Sequence, residues 1–367
     1  MNVLSSVATS FADSYAEART RFLDALTPTA VAPRVYRNPN TGPSGEELAC
    51  EAAWIGPEDA ARVLVLISAT HGVEGYCGSG LQVDWLDDGG PGRLPAGTAA
   101  LLVHALNCHG FAWDRRVTEE GCDLNRNFID FSQPLPENPG HDALVDAFVP
   151  AALDADSLAE SERRIAAYRE AHGERAFQTA RKAGQYRHAH SVFFGGFAET
   201  WARRTLARIV DDFRLADREI VSVLDFHTGL GPFGYGEPIC GHRRGSLGLE
   251  RVLSMYGHST GLPAEGVSFS IPLTGSQRAF WEPRLGDRYT YVAMEFGTFD
   301  TDRGRRALRA DHWLHNQGPV DWDAPLTREI KAELRTQYYP ATDDWKEMVL
   351  WRGRQVIRQT LDGLERF

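Results

Sequence analysis

No stretch of the 367 residues keeps up the roughly 18 unbroken apolar positions that a bilayer-crossing helix needs, so no membrane span is expected. Positive charge is the minority sign: 39 Lys and Arg stand against 50 Asp and Glu, a formal net charge of -11. Nucleic acid is gripped chiefly by clustered cations, and it is therefore not expected as a partner. Cysteine is sparse. Cys50, Cys77, Cys108, Cys122 and Cys240 are odd in number, scattered and never in a C-x-x-C pair. That spacing argues against a disulfide framework or a cysteine metal site and suits free thiols in a reducing compartment. The first 26 residues lack the basic start and apolar run of a secretion signal, carrying Asp13, Glu17 and Asp24 instead, so a cytoplasmic location is expected. No serine stands in a G-x-S-x-G elbow, which disfavours a serine hydrolase. Internal repeats and low-complexity tracts are missing too.

What is present is ordinary globular composition, 43% apolar and 24% charged, enough for a large core. Met1 to Leu26 reads as a helix from the spacing of Phe11, Tyr15, Phe22, Leu23 and Leu26. Pro28, Pro33, Pro39, Gly42, Pro43 and Gly45 then break the chain into loop and edge strand. Four runs have the continuous apolar character of strands buried on both faces: Arg62 to Thr70, Leu101 to Asn107, Ile220 to Phe226 and Tyr289 to Phe296. Helical stretches separate them. The alternation predicts an α/β fold, a twisted, mostly parallel mixed sheet flanked by helices, in one catalytic domain spanning 1–367. Residues 150–196 read as a helical insertion whose second half returns to the site rim; a solvated helical spacer is the rival reading.

Ligands of such sheets bind beyond the carboxyl ends of the strands. His71, Asn107, His227 and Glu295 fall there. His71-Gly-Val-Glu74 is an H-x-x-E pair, and with 12 His and 50 acids chance alone gives about 1.6 such pairs, so by itself it is better read as a helix-capping or strand-end histidine beside a surface acid. Its surroundings add weight. Gly72, Gly75, Gly78 and Gly80 suit a sharp turn with close approach, and His227 offers a second imidazole before another glycine-rich turn. Two imidazoles and one carboxylate with an open fourth position is a catalytic zinc set, whereas a structural site wants four protein ligands. Glu295, in Ala-Met-Glu-Phe-Gly, would be expensive to bury without a role.

His71-x-x-Glu74, Asp123-Leu-Asn-Arg-Asn-Phe128, His227 and Met294-Glu-Phe296 follow one another in the order of the zinc carboxypeptidase superfamily, which the chain resembles over roughly residues 55 to 300. Its glycine-rich loops look nearer the succinylglutamate desuccinylase and aspartoacylase branch. The resemblance implies zinc ligands His71, Glu74 and His227, with Glu295 as general base. Asp123 would orient His71, although an Asp before Asn also makes local turns. Asn125 and Arg126 would hold a substrate carboxylate; Arg126 could instead pair with Asp123 or Asp130. Arg116 resembles the arginine that faces the oxyanion, with its neighbour Arg115 as an alternative.

The family's peptidases bring a tyrosine over the substrate from a loop before the last catalytic strand, and Ser268 to Trp281 holds none. His188-Ala-His190 lies in a loop where substrate contact is open, but without a nearby acid it is disfavoured as a metal pair, and His312-Trp-Leu-His315, one helical turn apart, is read as a packed or surface pair. The expected activity is therefore a zinc-dependent hydrolase cleaving an amide or peptide bond next to a free carboxylate. Its partner is a small molecule or peptide carrying that group. An N-acyl amino acid deacylase and a non-catalytic zinc-holding binding protein are the alternatives.

Overall fold

A computed structural model describes residues 3–367. Seven strands form one sheet: β1 (Arg34–Thr41), β2 (Glu47–Ile55), β3 (Arg62–Ile67), β4 (Thr98–His104), β5 (Ile220–Thr228), β6 (Gly236–Ile239) and β7 (Tyr289–Phe296). Their order is β1-β2-β4-β3-β5-β7-β6. The four middle strands, β4, β3, β5 and β7, run parallel, and antiparallel strands flank them at both edges. The predicted α/β mixed sheet is the one observed.

Alternation along each central strand divides the core into two layers, because successive side chains point to opposite faces. Leu64 and Leu66 of β3, Leu102 of β4 and Phe226 of β5 join the face covered by helices Tyr15–Leu26, Gly75–Asp87 and Asp343–Arg366. Val63, Val65 and Ile67 join the other face, under helices Trp201–Asp212 and Arg278–Leu285. With both faces covered, a central strand has no polar face to show, which is why these read as unbroken apolar runs. Edge strand β1 buries only Tyr36 and Asn38 and tolerates Pro39.

Three expectations need correction. The N-terminal helix is two helices, Val3–Ser10 and Tyr15–Leu26; residues 1 and 2 lie outside the described part. Ser14 breaks the chain there by accepting from the Glu17 amide, while Glu17 reaches back to the Asp13 amide, a reciprocal cap. Strands β2 and β6 had no counterpart in the sequence reading. Asn107 is not a cleft residue: its Oδ1 caps helix Cys108–Ala112 by accepting from the Gly110 amide.

Within residues 150–196, helix Ala155–Lys182 bends at Gly173 and lies along helix Pro139–Phe148. Glu162 on it receives hydrogen bonds from Arg305 and Arg309, tying it to helix Thr301–Asn316. The end of this helix and the loop after it bring Arg181, Lys182 and Phe193 to the cleft.

Phe22 is fully buried and stacks on the His104 ring, centroids 4.3 Å apart, so it fastens helix Tyr15–Leu26 to the sheet. Phe22→Ala should lower unfolding free energy by about 3–5 kcal/mol in urea denaturation. A loss below about 1 kcal/mol would mean that this helix is not part of the cooperative core.

Candidate metal centre

Beyond β3 the chain turns through Ala69, at φ 61, and Gly72, at φ 24, into a short 3-10 turn, Gly72–Glu74. A Cβ on Gly72 would collide with the backbone of Gly110 and Arg115, so glycine is required by space as well as by φ. The tight turn puts His71 and Glu74 side by side, His71 Nδ1 lying 3.1 Å from Glu74 Oε1. Strand β5 brings His227 to the same point, its Nδ1 3.1 Å from His71 Nδ1 and 3.3 Å from Glu74 Oε2. All three side chains are buried, and one ligand atom from each falls within 4.8 Å of the others.

The far nitrogens of both rings meet carboxylates. His71 Nε2 is 3.0 Å from Asp123 Oδ1, and His227 Nε2 is 2.8 Å from Asp225 Oδ2. Asp225 is itself held by donors from Tyr291 Oη at 2.8 Å and Thr70 Oγ1 at 2.7 Å. An imidazole whose Nε2–H is given to a carboxylate presents an Nδ1 lone pair. Two such lone pairs and a carboxylate then face one another in a buried space, an arrangement that calls for a cation or a proton at its centre. The donor set, two imidazoles and one carboxylate backed by orienting acids, fits a divalent metal.

Charge balance around the cluster follows from burial and neighbours. Burial pushes the Glu74 carboxyl up, but His71 and Arg116 outweigh it and hold the group well below its usual range. Asp123 is likewise held low, by Arg126, His71 and Arg116 against burial. Burial works against a charged His227, yet Asp225 and Glu74 raise its pKa well above that of a free imidazole. Glu295 goes the other way. In the parallel register of β5 and β7 it stands beside His227, its Oε1 accepting from the Leu230 amide at 3.0 Å. Burial, helped by Glu74, pushes its carboxyl up to about 8, against the pull of His227 and Arg116.

The remaining candidate residues separate clearly. Arg116 lies against Glu74, with Nη2 3.0 Å from His71 Nε2, sandwiched between the rings of Phe193 and Tyr338. Arg115 turns away to a buried pair with Asp311 at 3.1 Å, where Lys331 joins it, so of these two neighbours it is Arg116 that lines the cleft. Asn125 accepts from the Gln277 amide at 2.7 Å through Oδ1. Arg126 lines the cleft but is less free than the sequence suggested. Nε and Nη2 both donate to the Lys182 carbonyl, Nη1 donates to the Asn125 carbonyl, and Asp123 is 3.8 Å away. His188 does have an acid beside it, Asp142 Oδ1 at 2.8 Å, a contact made outside this cluster. His312 and His315 pack around Asp311 and Lys331.

Sequence reasoning missed several cleft residues. Asp225 was legible in principle, because a residue two before His227 on a strand shares its face. Tyr338 carried no local signal. It ends helix Pro325–Tyr338, its carbonyl accepts from Thr228 Oγ1 at 2.7 Å, and its ring backs Arg116, so a tyrosine reaches the centre from beyond the motif-bearing segment. The cleft over the cluster holds about 250 Å³ and is walled by Phe193, Leu230, Ile271, Leu273 and Tyr338.

Fold and cluster together define the class: an α/β protein with a buried His–Glu–His centre at the carboxyl ends of a mixed sheet. Within that class the chain belongs to DUF2817, a family described as protein of unknown function, whose model matches residues 11–352. No curated protein matches it in sequence. Among solved structures it is similar to a carboxypeptidase A from Helicoverpa armigera, at 11% identity and TM-score 0.49 over 96% of this chain and 75% of that one. It is similar also to succinylglutamate desuccinylase from Chromobacterium violaceum, at 15% identity and TM-score 0.36 over 87% and 74%. An aspartoacylase family protein from Mesorhizobium loti gives 14% and 0.39 over 80% and 69%. Among the described residues no helix is long and apolar enough to cross a membrane.

Two measurements test the centre. Asp225→Asn should weaken divalent metal binding about 10- to 100-fold in a competition titration with a chromogenic chelator; unchanged affinity would remove the orienting role. In metal-free protein Glu295 keeps its proton to about pH 8, while an unfolded Glu loses it near 4.5. The folded state therefore binds the extra proton between those values, and stability should fall as pH rises across them. Glu295→Gln should abolish that fall, so its denaturation midpoint should exceed the parent's at pH 8 and approach it below pH 4.5. A pH-independent difference would contradict the raised pKa.

Proposed function

We propose that the chain is a zinc-dependent hydrolase that cleaves an amide or peptide bond next to a free carboxylate. The observation that carries this reading is the convergence of His71, Glu74 and His227 with a protonatable Glu295 beside them. His71, Glu74 and His227 would hold the ion, which when bound supplies Lewis-acid polarisation of a carbonyl and acidifies a water. Glu295, buried and near neutrality in its pKa, is suited to take a proton from water and pass it to the leaving nitrogen. Arg116, fixed between two aromatic rings, is the donor for negative charge developing on the carbonyl oxygen. Asn125 and what remains free of the Arg126 fork are the grip for the neighbouring carboxylate.

The volume of the cleft favours a second reading within the same chemistry. About 250 Å³ is at the small end of ligand sites and suits an N-acyl amino acid better than a long peptide. Purified protein loaded with zinc should be assayed against N-acyl amino acids, dipeptides and tripeptides. Turnover of acyl amino acids alone would select the deacylase. In either case Glu295→Gln should lower kcat by about 10²–10⁴-fold with zinc content unchanged. Equal rates in variant and parent would defeat the mechanism, and no turnover of any substrate would leave a binding protein.

A further inference from the structure

Ser270, Ile271, Pro272, Leu273 and Ser276 form one wall of the cleft, and Gln277 follows them just before helix Arg278–Leu285. Gln277 is fully buried behind that wall, and its two ends serve different halves of the site. The backbone amide donates to Asn125 Oδ1 at 2.7 Å. The side-chain Nε2 donates to Thr70 Oγ1 at 3.1 Å, on the metal side. Its Oε1 is buried with no hydrogen-bond partner among the described residues.

Packing alone does not account for this side chain. A methionine would fill a similar space without leaving a carbonyl oxygen buried and unpaired, which carries a desolvation penalty. What the amide supplies is direction. A threonine hydroxyl has one proton to give. Because Thr70 Oγ1 accepts from Gln277, its own proton is left for Asp225 Oδ1, 2.7 Å away. Asp225 Oδ2 meanwhile lies 2.8 Å from both Tyr291 Oη and His227 Nε2. An amide turned the other way would draw the Thr70 proton to itself and leave Asp225 Oδ1 facing a lone pair, so the network itself assigns the orientation. Thr70, Asp225 and Gln277 are all inaccessible, and solvent does not substitute for a missing donor. On the other side, the Gln277 backbone occupies Asn125 Oδ1, so the Asn125 Nδ2 amide is the part left to donate into the cleft that Asn125 lines.

We propose that Thr70 and Gln277 are positioning residues, a directed hydrogen-bond chain that fixes the Asp225–His227 pair toward the metal while the same Gln277 fixes Asn125 toward the ligand. The chain itself needs only His227 as a metal ligand; the Asn125 half rests on the hydrolase reading. Gln277 thereby joins the wall that a ligand touches to the imidazole that holds the ion.

Competition for zinc with a chromogenic chelator tests the chain in the parent, Thr70→Val, Thr70→Ser, Gln277→Met and the variant combining Thr70→Val with Gln277→Met. Urea unfolding of each metal-free protein runs alongside. Thr70→Val should weaken zinc binding about tenfold, the lower end for groups behind a metal ligand. Thr70→Ser keeps the hydroxyl and should restore most of that affinity. Gln277→Met should lose less than Thr70→Val, because the hydroxyl proton remains and only its direction is freed. The combined variant should lose no more than Thr70→Val alone, as expected of links in one chain. With an amide substrate, Gln277→Met should lower kcat and leave KM near the parent's, since its backbone still holds Asn125. Parent-like zinc affinity in folded Thr70→Val, equal losses in Thr70→Val and Thr70→Ser, or additive losses in the combined variant overturns the chain. An unfolding midpoint that drops with no change in zinc affinity reduces both residues to packing and overturns it too. Should Thr70→Val fail to fold, Gln277→Met decides, and parent-like zinc affinity there is the overturning result. A KM that rises while kcat holds would detach Gln277 from His227. Zinc affinities in the expected order without turnover of any amide would sink the hydrolase reading alone, whereas turnover with unchanged zinc affinities would sink the chain alone.

Discussion

Three buried acceptors facing one another cannot persist without positive charge between them. His71 and His227 each have one nitrogen committed to a carboxylate, which leaves the other nitrogen directed at Glu74. Water cannot enter freely to solvate them, because all three are nearly inaccessible. The sheet makes this confrontation unavoidable. Adjacent parallel strands β3 and β5 run in register, Ile67 beside Asp225, so the residues following both strands emerge at one edge. β3 is also flanked by β4 on one side and β5 on the other, the place where the order of strands reverses and a crevice opens.

The acids behind the imidazoles determine which nitrogen looks forward. Asp225 sits two residues before His227 on the same face of β5 and is locked by Tyr291 of β7 and by Thr70, to which Gln277 donates at 3.1 Å. Asp123 is locked from its own turn, accepting from the Asn125 amide at 3.0 Å while Arg116 and Arg126 crowd its charge. One ring is thus oriented by sheet geometry and the other by loop geometry. Glu295 differs from Glu74 in what surrounds it rather than in kind. Glu74 receives the Thr228 amide and touches Arg116 and both imidazoles, so it stays ionised; Glu295 has one amide donor and a neighbouring acid, so it keeps its proton longer. Two carboxylates driven apart in pKa are what a ligand and a proton carrier require.

The parts of the molecule that could be read from the sequence are those where one physical demand dominates. Strands buried on both faces must be apolar throughout, so β3, β5 and β7 announced themselves, and β4 did so to within a few residues. Glu51 hid β2: an acidic residue inside an otherwise strand-like run looks like an interruption until Arg19, 2.6 Å away, is seen to pair with it. β6 has four residues, one of them Pro238, too little for periodicity to register. Metal-competent residues were legible because turn residues after strands are few and their chemistry is distinctive. Tyr338 and Arg181 were not, since each reaches the cleft from the end of a helix whose docking is set by distant packing. Arg126 shows the opposite error: its type and place were read correctly, but its donors are largely spent on the carbonyls of Lys182 and Asn125.

Net charge and local charge point in opposite directions here, and the difference bears on how a ligand arrives. The chain as a whole is strongly acidic, yet Arg116, Arg126, Arg181, Lys182 and Arg278 line the cleft against Glu295. Low-dielectric walls such as Phe193 and Leu273 concentrate the field of such a cluster, which favours entry of an anion here despite the net charge. Arg116 and Arg126 have part of their charge absorbed by Glu74 and Asp123, and Arg278 has Glu282 3.0 Å away. Arg181 and Lys182 have no carboxylate within ion-pair distance among the described residues, only the longer-range pull of Asp302 and Glu295. Much of whatever attraction the cleft exerts beyond its metal-competent centre therefore comes from this pair.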